Sequence, residues 1–166
     1  MLTIRPATAE DVPTLLRLIK ALAEYERLLH AVVATEDDLR ESLFGTERPV
    51  AEAILAELEG EAVGYALYFA SYSTFRGRAG LYLEDLFVEP EHRGRGIGKA
   101  LLREVAAVAH RRGAPRLDWS VLDWNAPSIA FYKSLGAEPL DEWTTFRLQG
   151  ESLAQLGRQR AAEPSR

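Results

Sequence analysis

Between residues 89 and 99 the chain reads Glu89-Pro-Glu-His-Arg-Gly-Arg-Gly-Ile-Gly-Lys99, with three alternating glycines set among Arg93, Arg95 and Lys99. A strand-like run from Gly80 to Val88 leads into this stretch, and a helix-like run from Ala100 to Ala109 leads out of it. Glycine permits a tight turn and a close backbone approach, and the helix start adds N–H donors without intrahelical partners at the positive end of its dipole. Such a turn suits phosphate oxygens. The spacing excludes two common phosphate sites. A P-loop needs a Gly-Lys-Ser/Thr, and here Gly98-Lys99 is followed by Ala100, which has no hydroxyl for magnesium. The dinucleotide fingerprint G-x-G-x-x-G also fails, because Gly94-Arg95-Gly96-Ile97-Gly98 is G-x-G-x-G and lies mid-chain after several strands. A loop that merely turns a corner is the plainer alternative, but a corner needs one or two glycines, not three flanked by cations.

Two further groups could do chemistry. Glu84 and Asp85 stand in the middle of the apolar strand 81–88, where a carboxylate is costly unless it is paired, hydrogen-bonded or near water. Strict alternation predicts Glu84, Leu86 and Val88 on one face, with Leu83, Asp85 and Phe87 on the other. Asp85 stands equally open to a structural ion pair and to a functional role. Glu84, just ahead of the phosphate loop, is the better catalytic candidate. The second group is Asn125-Ala-Pro-Ser-Ile-Ala-Phe-Tyr-Lys133, a helix start with an Asn cap and proline just inside, which carries Tyr132 beside Phe131. Spacing alone reads Tyr132 as a core aromatic. His30, His92 and His110 lack a ligand-pair spacing, so no metal site is expected.

The elements that must position these residues follow from periodicity. Leu2 to Ala7 reads as a strand ended near Pro6. Thr8 with Asp11 is a helix start of the capping-box type, and Val12, Leu15, Leu18, Ile19 and Leu22 recur at helical spacing to about Tyr25-Glu26. Thr35 to Asp38 repeats the cap for a short helix from Leu39 to Phe44. Val50 to Leu58 and Ala62 to Tyr72 form a hairpin through Glu59-Gly60-Glu61, and Ser71 to Gly80 reads as a loop. After the helix that Gly113 and Pro115 close, Arg116 to Leu122 is a strand and Ala126 to Leu135 a helix ended by Gly136. Trp143 to Leu148 is expected as a last strand, Glu151 to Gln159 as a short helix, and the remainder to Arg166 as a frayed tail. This order is an α/β (α+β mixed) architecture in which antiparallel hairpins precede a single crossover.

The 166 residues, 47% hydrophobic and 27% charged, fit one soluble domain over 1–150 followed by a C-terminal helix and tail. With no cysteine, a disulfide, a thiolate nucleophile and a zinc–thiolate site are excluded, and the cytoplasm is the default compartment. A net charge of −5 disfavours nucleic acid, and no apolar run reaches membrane-spanning length.

The stretch Arg93-x-x-Gly96-x-Gly98 resembles the coenzyme A signature of the GNAT superfamily of N-acetyltransferases, and Asn125-x-x-Ser128-x-x-Phe131-Tyr132 resembles a second stretch of that family. Arg5-Pro-Ala-Thr8, Leu18 to Glu26, Thr35 to Leu39, Tyr82-Leu-Glu-Asp85 and Trp124 to Lys133 narrow the resemblance to the diamine (spermidine/spermine) and thialysine acetyltransferase branch. That resemblance implies a single domain whose central, mostly antiparallel mixed sheet splays between strands four and five, with helices on both faces. It implies acetyl-CoA bound by Leu86, Phe87, Val88, Arg93, Gly94, Arg95, Gly96, Ile97, Gly98, Lys99, Asn125, Ser128 and Tyr132. It implies a small amine held by Tyr25, Glu26, Glu84, Asp85, Asp118, Trp119 and Ser120. Glu84 is then the base, acting directly or through water, Tyr132 the acid for the departing thiolate, and the protein a homodimer. Arg76 and Arg78, in the loop before the central strand, are expected to favour a short amine with a nearby carboxylate over a long polyamine. An acetyltransferase for protein or antibiotic amines, a non-catalytic acyl-CoA-binding domain and, more weakly, a plain oligomeric scaffold are the alternatives.

Overall fold

Thr8 and Asp11 do what a capping pair should. The Asp11 carboxylate accepts the Thr8 N–H at 2.7 Å, the chain makes one 3-10 turn over Ala9–Asp11, and helix α1 runs Val12–Tyr25 with Pro13 in its first turn. The same carboxylate takes two hydrogen bonds from Arg5, at 2.7 and 2.8 Å, and Arg5 also reaches Glu57 at 2.6 Å. The guanidinium therefore holds Asp11 well below the usual carboxylate range and ties strand β1 (Leu2–Pro6) and strand β2 (Glu52–Leu58) to the start of α1.

The computed structural model describes residues 1–162 and contains two compact units, Met1–Ser120 and Val121 onward. In the first unit, helix α2 (Glu36–Phe44) follows Thr35, whose hydroxyl accepts the Asp38 N–H at 3.2 Å. Strands β3 (Glu61–Ser73) and β4 (Arg78–Val88), helix α3 (Ile97–Arg111) and strand β5 (Leu117–Asp118) complete the unit. Among the described residues the sheet order is β1-β2-β3-β4-β5, antiparallel throughout except for the parallel β4–β5 pair. On one face Leu15 and Leu18 of α1 and Leu43 of α2 pack over Ala53, Leu55, Tyr65 and Phe87. The other face carries Ile54, Ala66, Tyr68 and Leu83, out of phase by one residue, and the buried side of α3 is Ile97, Leu101, Val105 and Val108.

In the second unit, helix α4 (Ala126–Ser134) is capped by the Asn125 Oδ1, which accepts the Ser128 N–H at 3.3 Å. Helix α5 spans Gly150–Ala162. It runs past the expected end at Gln159; the remainder of the expected tail, 163–166, lies outside the described residues.

Three expectations need correction. Ser71 to Gly80 is not one loop: β3 continues to Ser73, β4 starts at Arg78, and the turn between them is four residues long. The strand expected over Arg116 to Leu122 shrinks to Leu117–Asp118, whose ladder with β4 holds only Leu81↔Leu117 and Tyr82↔Asp118. From Leu83 onward β5 offers β4 no partner, which is the splay between the fourth and fifth strands. Trp143 to Leu148 forms no strand. Its alternation is real, but a strand exists only in a ladder, and Trp143, Phe146 and Leu148 are all exposed.

Candidate active site

Alternation along β4 breaks at Glu84. Tyr68 of β3 pairs with Leu83, and Leu67 pairs with Asp85, which leaves Glu84 as an extra residue in a β-bulge. The phase therefore resets: Leu83 shares a face with Leu86 and Val88, while Tyr82, Asp85 and Phe87 share the face covered by α1. This corrects the grouping of Leu83 with Asp85 and Phe87. Glu84 itself is exposed.

Asp85 looks into the first unit beneath the end of α1. Its Oδ2 accepts a 2.9 Å hydrogen bond from the hydroxyl of Tyr65, a residue with no exposed surface. Burial pushes the Asp85 carboxyl up to about 6. The Tyr65 hydrogen bond pulls the other way, and the charges of Glu84 and Glu26 add to the rise. Glu26, half-buried just after α1, is also raised, by burial. Burial first, then the Asp85 charge and hydrogen bond, keep the Tyr65 phenol far above its ordinary value, so it is a neutral donor. Tyr25 stands one residue before Glu26, and the Arg93 guanidinium lies 4.3 Å from its ring centroid and 5.7 Å from that of Phe87. Three carboxyl groups thus gather beside a ring already faced by Arg93, and their shared negative charge suits a cation.

The glycine loop follows directly. Gly94 (φ 75°) and Gly96 (φ 79°) both adopt the left-handed backbone that side chains resist, and Gly96 is the N-cap of α3. A Cβ added at either would meet nothing within 4 Å, so the space beside the turn is open. The first bond of the α3 ladder runs from Ala100 N–H to the Gly96 carbonyl at 3.0 Å, which leaves the amides of Ile97, Gly98 and Lys99 ahead of it. Arg95 and Lys99 are exposed beside them. The arrangement fits a pyrophosphate. Arg93 is committed differently: its Nε donates to the Val88 carbonyl at 2.9 Å, so it ties the end of β4 to Tyr25.

Other predicted residues fall into place less closely. Asp118 pairs with Arg116 at 2.8 Å, Trp119 is half-buried, and the Ser120 Oγ lies 2.9 Å from the Tyr82 hydroxyl, all at the junction of β4 and β5. In the second unit Tyr132 is half-buried, its ring 5.3 Å from that of Phe131, and Asn125 is buried with its side chain serving as the α4 cap. Arg76 and Arg78 are exposed at the β3–β4 turn, about 20 Å along the strand from Glu84 and Asp85 at 3.3 Å per residue. At that distance they stand clear of a short amine held at Glu84 and Asp85. Glu89, Glu91 and His92 come within 4.8 Å of one another, but Glu89 is already paired with Arg17. A cavity of about 410 Å³ beside β1 and the end of α3 contains none of the predicted residues, and Arg112 and Glu52 at its wall bind each other at 2.7 Å. Tyr65 was missed in the sequence; the signal was a tyrosine at an inward position of an apolar strand, where phenylalanine would pack as well.

A splayed mixed sheet with an open glycine turn after its fourth strand defines an acetyltransferase of the GNAT type. The family model "Acetyltransferase (GNAT) family" matches residues 16–137, and the chain belongs to that family. It is 44% identical to the thialysine N-epsilon-acetyltransferase of Bos taurus, over 92% of this chain and 95% of that one. It is 32% identical to an L-ornithine N5-acetyltransferase of Arabidopsis thaliana, over 90% and 85%. An integron cassette protein from the mobile metagenome of V. cholerae shares the fold with a TM-score of 0.79 and 28% identity, over 95% and 98%. No helix among the described residues is long and apolar enough to cross a membrane.

Proposed function

We propose that this acetyltransferase uses acetyl-CoA to acetylate a primary amine of a small cationic molecule, with a thialysine- or lysine-like amino acid as the preferred acceptor. The observation that carries this reading is the gathering of Glu26, Glu84 and Asp85 beside the Tyr25 ring, next to the open glycine turn. The names of the 44% and 32% identical relatives support an amino-acid amine. Acetyl-CoA, when bound, supplies an acetyl thioester. The amides of Gly94 to Gly98, with Arg95 and Lys99, would hold its pyrophosphate. The open edge of β4 at Leu86, Phe87 and Val88 would hold its arm, with Asn125 and Ser128 as further contacts from the resemblance.

An amine arrives protonated, so attack requires that a proton leave it. Glu84, exposed at the bulge, receives that proton through water, while Glu26 and Asp85 hold the cation. The absence of cysteine excludes a cysteine acyl-enzyme, and direct attack in a ternary complex is the simplest course. By the family resemblance, Tyr132 would return a proton to the departing thiolate.

The test is free-thiol release with a panel of amines, run on the wild type and Tyr132→Phe. The expected result is thialysine or lysine-like amines ahead of spermine, and turnover slowed roughly 10²-fold in the variant with CoA binding retained. Activity only on protein or aminoglycoside amines would overturn the small-amine reading, and undiminished turnover with chemistry rate-limiting would return Tyr132 to packing.

We also propose a homodimer, supported by the exposed Trp143 and Phe146, apolar side chains of large area. Light scattering at micromolar concentration is expected to give twice the chain mass; the mass of one chain would refute it.

A further inference from the structure

Tyr65 has a hydroxyl where packing asks for none. It sits in a cluster of Leu15, Leu18, Leu55 and Phe87, has no exposed surface, and touches the Phe87 ring at 6.5 Å between centroids. A phenol at such a site costs free energy unless its hydroxyl has a partner. The partner is the Asp85 Oδ2 at 2.9 Å.

The groups around Asp85 are otherwise acidic. Glu84 neighbours it on β4, and Glu26 faces it from the end of α1. Arg93, from the loop after β4, turns its guanidinium onto the Tyr25 and Phe87 rings, and among the described residues no cation contributes to the Asp85 shift. With burial and two like charges pushing toward the protonated acid, the Tyr65 hydroxyl is, among the described residues, the group that favours the carboxylate.

We propose that Tyr65 is a positioning residue for the amine site: its buried hydroxyl donates to the Asp85 carboxylate and fixes it toward the acceptor's ammonium group. Asp85, balanced in this way, gates amine binding. Ionised, it completes the anionic pocket with Glu26 and Glu84; protonated, it leaves the ammonium short of one charge. The inference rests on the small-amine reading for its consequence in catalysis, but the Tyr65–Asp85 relation stands without it. Because burial pushes the carboxyl up to about 6, the gate operates just below neutrality.

Tyr65→Phe keeps the ring and removes the hydrogen bond, so the Asp85 carboxyl should rise by about one pH unit. Two readouts separate this from simple packing. In the pH profile of kcat/KM for the best amine of the panel, the acid limb moves to higher pH. The variant is then about threefold weaker at pH 6.5, chiefly through KM, and near the wild type at pH 8.5. Independently of any activity, the Asp85 carboxyl carbon, assigned in labelled protein by its loss in Asp85→Asn, titrates near 6 in the wild type and higher in Tyr65→Phe. A merely structural tyrosine would lower the melting temperature and move neither. An unmoved carboxyl titration in folded Tyr65→Phe overturns the proposal. So does an acid limb that persists unchanged in Asp85→Asn and disappears in Glu84→Gln. Should the wild type acetylate no small amine, the proposed function fails while the carboxyl titration still decides this inference.

Discussion

Gly96→Val is expected to abolish measurable coenzyme A binding, weakening it at least ~100-fold, in a chain that still folds. Gly96 combines a φ of 79° with open space on the side where a side chain would project. Valine is therefore penalised twice. Its branched Cβ resists the left-handed region, at a cost of about 1–3 kcal/mol, and its methyl groups occupy the volume through which a pyrophosphate must approach the amides of α3. Only the second effect concerns the ligand, and Gly113→Val separates the two. Gly113, just after the other end of α3, has a φ of 66° and equally open surroundings but belongs to no proposed site. The two variants should lose comparable stability, with calorimetry finding coenzyme A affinity near wild type for Gly113→Val alone. Unchanged affinity in folded Gly96→Val would place the phosphate site elsewhere.

The glycine loop was legible because its signal is local: three glycines, a strand before and a helix after can be read from adjacent residues, and two of the three need their positive φ. Helices α1 and α3 were legible for a similar reason, since their apolar stripes and caps lie within one element. What escaped depended on partners distant in the chain. The bulge at Glu84 is a property of the pairing of β3 with β4, with Tyr68 set against Leu83 and Leu67 against Asp85, and period-two reading of one strand cannot detect it. Residues 143–148 failed in the opposite sense, since their alternation suggested a strand that no ladder supplies. Arg93 shows that a residue of a local motif also makes contacts the motif does not announce. It stands where a phosphate-binding arginine was expected, yet its Nε and its guanidinium face are engaged by Val88 and Tyr25. The role of Tyr65 could not be read from its neighbours in sequence because Asp85 lies twenty positions away.

Asp85→Asn is expected to stabilise the protein at pH 8 while damaging its function. The sign follows from linkage. The folded carboxyl, pushed up to about 6, binds its proton more tightly than the unfolded chain, whose ordinary value is about 3.8. Between these two values the native state holds more protons, so stability falls as pH rises through this window, and the full cost is present above it. A difference of about two units corresponds to about 3 kcal/mol at most, which for a chain of this size is a shift of several degrees in melting temperature. Asparagine carries no charge, keeps an acceptor for the Tyr65 hydroxyl and removes that cost. Urea titrations should therefore show the variant more stable at pH 8, with the gap closing as pH falls toward 4. The wild type recovers the cost only when a cation occupies the pocket, so a saturating amine should raise the melting temperature of the wild type and leave that of Asp85→Asn nearly unmoved. A variant less stable than wild type at pH 8, or a gap that does not narrow with acid, would mean that Asp85 is held by favourable interactions. The strand would then carry a structural carboxylate in place of one kept for binding at the expense of stability.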